Sequence, residues 1–351
     1  MLAEMAQAKG GDFCIIRTHK TEPQRTWPDL TGPFSQIILP GIRLPLGENR
    51  AIAVTSSPVR HLARFTPDIV ILAGFGLAMW QAHRWCRAHN IAYIIRFDGW
   101  ARSDAVFVNP MRAKMRQIMI KHASGAMAAS QPGKNWFLTH GMATGKIALV
   151  PIASSFAPLP DNTLPGFNQR PYDLLWCGRP TKPKGFDHFL SLAAALYRQN
   201  AISRICIVGV PAHDNAILQA KLLHAGLCPI TTVLPPVPPH HLAALYASAR
   251  LFLLPSLSDA YGVAVVEAIT CQAIALASDQ VGVAHDVLVA GETMLPLPDQ
   301  GLNNWLGPVK RLLTDPAYRD RHLSLQKQAA RTITPHLIAQ HTWHACQTAI
   351  A

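Results

Sequence analysis

Asp259 and Glu267 stand eight positions apart in the run Pro255-Ser-Leu-Ser-Asp-Ala-Tyr-Gly-Val-Ala-Val-Val-Glu-Ala268. The apolar stretch from Arg250 to Leu254 reads as a buried strand, Pro255, Ser256 and Ser258 break it, and a helix is expected from Val263. One carboxylate therefore falls in a strand-to-helix loop and the other about one turn into the helix. Gly262 allows close approach of the backbone to a ligand, and a helix N-terminus offers free N–H groups to an anion. Carboxylates act on sugar hydroxyls as acceptors, whereas N–H groups suit phosphate. The loop has the chemistry for a molecule that is both sugar and phosphate.

A second run, Leu174-Leu-Trp-Cys-Gly-Arg-Pro-Thr-Lys-Pro-Lys-Gly-Phe186, reads as a strand, a loop carrying Arg179, Lys182 and Lys184, and a helix from about Asp187. Cations gathered on one strand-end loop repel one another unless they face an anion. Against a diphosphate they form charge-assisted hydrogen bonds, with Arg179 able to bind in two-pronged fashion. Taken singly, each feature has a plain structural reading: Asp259 as a helix cap, Glu267 on a solvated helix face, the basic loop as exposed surface. Their order and spacing together point to a ligand site.

Gly178-Arg179 followed by Lys184-Gly185, a strand ending at Gly209, and then the two carboxylates resemble glycosyltransferase family 4 (the glycosyl transferases group 1). Those are retaining, nucleotide-sugar-dependent enzymes of the GT-B fold. Glu267 matches the second family carboxylate. Asp259 stands where the family usually has Glu, one methylene longer, and Asp286 stands where the pattern after Cys271–Gly282 usually has Glu. The resemblance spans nearly all of residues 60–330, most specifically 174–290. It implies hexosyl transfer from a nucleotide-diphosphate sugar to an acceptor hydroxyl with retention, in glycan, exopolysaccharide or lipopolysaccharide synthesis. Arg179 and Lys184 would neutralise the leaving diphosphate, with Gly178 and Gly209 at the donor. Backbone N–H groups of Tyr261, Gly262 and Val263 would assist, Asp259 would hold sugar hydroxyls, and Glu267 the ribose diol. The nucleotide sugar is a co-substrate, and neither cofactor nor metal is expected.

Composition agrees with a two-domain globular protein: 351 residues, 49% hydrophobic and 15% charged. There is no apolar run long enough for a transmembrane helix and no signal-like segment at Met1–Gly11, so a cytoplasmic protein is expected. Seven scattered cysteines without C-x-x-C read as reduced thiols, and His240-His241 as a polar helix end rather than metal ligands. The net charge of +12 is uneven. Residues 1–155 hold 18 Lys and Arg against 8 Asp and Glu, the remainder 14 against 12. Much of the excess lies in Asn109–His122, where Met111, Met115, Ile118 and Met119 share a helical face beside Arg112, Lys114, Arg116 and Lys121. That helix could face the core with a solvated basic side, or lie on an anionic membrane, placing the protein at its inner face. No nucleic-acid module is present.

Strands and helices alternate, predicting a parallel sheet in each half, covered on both faces. In the first half strands are expected at Pro67–Gly74, Ile91–Phe97, Ser124–Ala129 and Ile147–Ile152. In the second they are expected at 173–177, 204–208, 230–234, 250–254 and 273–277. The fold class is thus α/β, GT-B. An acceptor-side Rossmann-like domain takes residues 1–160, with a Pro-rich linker near Ala153–Arg170. A nucleotide-sugar-binding domain takes 161–334, and a helix at 335–351 packs back toward the first domain, as in the family. Two departures stand out. Met1–Gly11 looks like the first helix and Asp12–Thr18 like the second strand, so the first strand and Gly-rich loop of the family are expected to be missing. At Ile94-Ile-Arg-Phe-Asp-Gly99, where many relatives carry a His facing the donor sugar, the polar residues are Arg96 and Asp98, which either contact sugar or acceptor or pair with each other. The rival readings are an inactive or truncated relative acting as a scaffold, another GT-B enzyme such as an epimerase or phosphorylase, and a dehydrogenase, which lacks its G-x-G-x-x-G.

Overall fold

The computed structural model describes residues 11–20, 32–47, 50–104, 109–157, 164–297 and 302–350. Its first half opens with β1 (Cys14–Arg17) paired parallel to β2 (Ser35–Ile38), then the antiparallel hairpin β3 (Gly41–Gly47) and β4 (Arg50–Thr55). A four-stranded parallel sheet follows, in the order β5 (Ile69–Ala73), β6 (Ala92–Phe97), β7 (Gly125–Ala128), β8 (Ile147–Leu149). The expected strands at the first half's core are all present. The strand expected at Asp12–Thr18 is β1, and the helix expected at Met1–Gly11 lies outside the described residues. The hairpin and β2 had not been expected: Pro45 inside β3 demotes the run in any strand reading, and the ladder shifts register between Pro45 and Gly47.

The second half is a six-stranded parallel sheet: β9 (Tyr172–Cys177), β10 (Ile205–Val208), β11 (Thr231–Leu234), β12 (Ala249–Leu254), β13 (Ile274–Ser278) and the short β14 (Met294–Leu295). Their spatial order is β11-β10-β9-β12-β13-β14. The chain thus winds outward from β9 in one direction, then returns to start again at β12 in the other. That reversal falls at the carboxyl ends of β9 and β12, the position where ligands of doubly wound sheets bind. Continuous apolar runs such as Leu174–Trp176 and Leu251–Leu254 are buried because helices cover both faces. One layer contains Trp176, Phe186, Phe189 and Trp305, the other Phe252, Val265, Val266 and Ile269.

At the amino ends of these strands, away from that position, buried Asp173 accepts from the Ser203 and Arg204 amides (2.7 and 3.0 Å) and pairs with Arg250 (2.9 Å). This carboxylate ties β9, β10 and β12 together. Arg170, also buried, donates from Nη1 to the carbonyls of Ala249 and Gln272 at 2.9 and 2.7 Å. Helix Pro316–Thr332 is fixed to β13 by Gln326, whose amide makes both hydrogen bonds to the Ala275 backbone, at 2.8 and 2.9 Å. The last helix, Pro335–Ile350, leaves the second sheet and buries Ile338, Ala345 and Cys346 against Ile94, Met127 and Val150 of the first.

Candidate functional site

Beyond β9, the Gly178 amide continues the ladder by donating to Val208 O (3.0 Å), and half-buried Arg179 follows. On the neighbouring strand Gly209 ends β10 in the same way, donating to Leu234 O at 3.1 Å. Lys182–Lys184 then forms one 3-10 turn, closed by Gly185, before helix Phe186–Arg198. The turn is held against the loop after β12. The amides of Leu257 and Ser258 both donate to Pro183 O (2.9 and 3.3 Å), and Ser256 Oγ donates to Lys184 O at 3.4 Å. Contact is so close that a Cβ on Gly185 would lie 1.8 Å from Pro255 O, and its φ of +72° is itself a glycine conformation.

This stapling brings Lys184 Nζ to 2.5 Å from Asp259 Oδ2. The carboxylate side chain is 11% exposed and the lysine side chain 36%. The sequence suggests separate tasks for the two, diphosphate for Lys184 and sugar hydroxyls for Asp259; the fold makes them an ion pair. The ammonium head, with three donors, can hold Asp259 and still meet an anion from the solvent side.

The main chain at Asp259 is fixed by a short parallel exchange with the segment after β13. Asp259 N–H donates to Gln280 O (3.0 Å), Gly282 N–H to Asp259 O (3.4 Å), and Val283 N–H to Tyr261 O (2.8 Å). Gly262, at φ +93°, begins helix Val263–Thr270, and no side chain caps that helix. A Cβ at Gly262 would sit 2.3 Å from Val281 Cγ1. In the first turn the Val265 N–H is taken by Gly262 O (2.9 Å), and the Val263 N–H ahead of it is the donor placed to meet an anion.

Glu267 is on the same helix, and its Oε2 accepts from Tyr246 Oη at 3.1 Å. Burial lifts its carboxyl to about 7, with the tyrosine hydrogen bond acting in the opposite sense. Cys177, at the end of β9, shares this pocket, and burial pushes its thiol up to about 12. Glu267 is thus a carboxyl that changes charge near neutrality.

In the first domain, Arg96 Nε and Asp98 Oδ1 are 3.5 Å apart, so the two residues pair, the arginine side chain 17% exposed and the aspartate 51%. On the Asp259 loop, burial pushes the Tyr261 phenol well above its ordinary range, with Asp286, Arg96 and Asp98 among the lesser charge influences on it. Asp286 accepts from Gln131 N–H at 3.1 and 3.2 Å, at the start of helix Gln131–Thr139. Trp100 carried no signal in the sequence, being one tryptophan in a loop, yet its Nε1 donates to Asp259 O at 3.1 Å.

Residues 164–331 match the family model described as glycosyl transferases group 1. Among curated proteins, the D-inositol 3-phosphate glycosyltransferase of Gordonia bronchialis is 29% identical over 159 residues, 43% of this chain and 34% of that protein. The protein of the same name from Pseudarthrobacter chlorophenolicus is 30% identical over 158 residues, 44% and 37% of the two chains. The match thus spans about a third of these relatives' length. Among solved structures, sucrose-phosphate synthase from Thermosynechococcus elongatus superposes with a TM-score of 0.70 at 16% identity, covering 99% of this chain and 91% of that one. HepE of Anabaena in complex with UDP gives 0.66 at 13%, covering 83% and 82%. The two Rossmann-like sheets are those of a GT-B protein, and the domain that carries Lys184, Asp259 and Glu267 matches the glycosyl transferases group 1, which supports a glycosyltransferase.

Proposed function

We propose that this chain is a retaining glycosyltransferase of family 4 that moves a hexosyl group from a nucleotide-diphosphate sugar to an acceptor hydroxyl. The observation that carries the reading is the Lys184–Asp259 pair, 2.5 Å across, beside the uncapped helix at Val263 and at the strand ends where the sheet order reverses. A cation, a carboxylate and a helix N-terminus on one loop pair match diphosphate and sugar hydroxyls in a single ligand.

In this mechanism the bond from the anomeric carbon to the diphosphate oxygen breaks and its electron pair leaves with the nucleotide. Lys184 and Arg179 stabilise that developing charge, the largest electrostatic demand of the step. The acceptor oxygen bonds to the same face of the anomeric carbon, and its proton passes to the departing diphosphate oxygen. Asp259 holds sugar hydroxyls, Glu267 the ribose diol, and Gly178 and Gly209 leave room for the donor. Arg96 and Asp98 close the sugar side as a pair. No step needs a metal or cofactor from this residue set. The acceptor is a glycan or lipid-linked glycan in polysaccharide synthesis, reached by the protein from the cytoplasm at an anionic membrane surface. HepE is described in complex with UDP, which makes UDP the first nucleotide to try.

The test is thermal unfolding of the protein with UDP and with GDP. One of them is expected to stabilise it, and Lys184→Ala to abolish the shift and lower transfer at least tenfold, or roughly 1.4 kcal/mol of transition-state stabilisation. A cooperatively unfolding protein that responds to neither nucleotide would favour an inactive or truncated relative instead.

A further inference from the structure

The Asp259 loop is held by more than its own domain. The carbonyl oxygen of Asp259 accepts from Gly282 N–H in the second domain (3.4 Å) and from Trp100 Nε1 in the first (3.1 Å). The indole is the shorter contact. Its ring also meets His285 edge-on, with centroids 5.6 Å apart.

Trp100 is itself fixed before it meets the loop. Its N–H donates to Ser103 Oγ (2.9 Å), and Ser103 Oγ donates back to the Trp100 carbonyl (3.0 Å). One residue on, Asp104 pairs with Arg116 of helix Pro110–His122 at 2.5 Å, both side chains largely buried. On its other side, a Cβ at Gly99 would strike the Phe97 ring at 2.6 Å and Ser103 Oγ at 2.9 Å, so the turn admits little else. A half-buried indole with a preset backbone, aimed at the main chain of a site carboxylate in the other domain, has the form of a positioning device. The surroundings agree. Asp286 takes the Gln131 amide across the same junction, and a Cβ at Gly282 would be 3.2 Å from Ser130 Oγ.

We propose that Trp100 is a positioning residue through which the first domain sets the Asp259 loop, so that the carboxylate reaches its working position only with that domain docked. The proposal rests on the glycosyl-transfer reading for its catalytic consequence, though not for the contact itself. Trp100 touches no reacting atom; it acts through the main chain of Asp259. Arg179 and Lys184, the diphosphate ligands proposed above, both belong to the second domain, so nucleotide affinity and turnover are expected to respond differently.

Trp100→Phe keeps an aromatic ring, smaller than the indole, and removes the N–H. Hydrogen exchange followed by mass spectrometry is expected to show amides of residues 256–263 exchanging several-fold faster in this variant, with those of strand β9 unchanged. Stabilisation by UDP or GDP should be kept, while kcat with UDP-glucose or GDP-mannose falls at least tenfold and KM changes little. Unchanged exchange at 256–263, or unchanged kcat in a protein that turns over, overturns the proposal. If wild type responds to neither nucleotide, the functional reading fails, and the exchange result still decides whether Trp100 sets the loop. Should Trp100→Phe not fold, Ser103→Ala loosens the indole's backbone without touching the core, and the same faster exchange is expected.

Discussion

Glu267 combines two roles that sit uneasily together: a candidate ribose ligand and a carboxyl lifted to about 7 by burial beside Tyr246. The sign of the linkage follows directly. Between about 4.5 and 7 the folded protein holds a proton that the unfolded chain has released, so this group favours folding as pH falls and opposes it as pH rises through the window. Glu267→Gln removes the titration and keeps an acceptor for the tyrosine hydroxyl. Measured by urea unfolding from pH 5 to 8, the variant is expected to gain on wild type as pH increases. A stability difference that stays flat over the window would mean that the carboxyl is not raised at all. The Lys184–Asp259 pair works at the same scale in another way: 75 positions separate the two residues, and only the fold makes them partners.

The elements that make this pairing are the turn Lys182–Lys184 and the loop after β12, joined at Gly185. Gly185→Ala puts a methyl on the Pro255 carbonyl and forces an unfavourable backbone region, so a cost of about 2 kcal/mol or more is expected, read as a lower urea midpoint with unchanged slope. Because the same joint aims Lys184, nucleotide stabilisation should be lost as well; retention of both would mean that the two loops are not coupled. Most elements were legible beforehand. Apolar runs bounded by Gly, Pro and Ser gave β9, β10, β12 and β13 to within a residue or two, since strands buried on both faces need no alternation to betray them. Glycines and cations at strand ends then marked the candidate site. What stayed hidden depends on distance along the chain. Trp100 lies 159 positions from Asp259, and the carboxylate that binds the strands at their other end, Asp173, looks in sequence like any polar residue at a strand start. The hairpin β3–β4 was obscured by its own proline.

Over the whole molecule, the basic charge is concentrated on the first half, and helix Pro110–His122 shows how it is arranged. Its second half faces the core through Met119 and Ile120, with Met115 packed against the same cluster, and Arg116 is taken up by Asp104 and by the Phe75 ring, 5.2 Å away. The core-facing reading therefore holds for that end. At the other end Met111 is 79% exposed beside exposed Arg112 and Lys114. An exposed methionine beside cations is suited to an anionic lipid surface, where each basic residue contributes roughly 1 kcal/mol at short range. Phosphatidylserine vesicles are expected to sediment the protein at low salt and to release it at about 0.5 M salt, where screening shortens the reach of these charges to a few ångströms. Charge reversal of Arg112 and Lys114 together should weaken binding by about tenfold or more, while reversal of Lys310 and Lys327 in the second half leaves it unchanged, because the attraction depends on where the charge sits rather than on the net value. Equal loss from both pairs would reduce the effect to bulk charge, and binding that persists in high salt would exclude the electrostatic account.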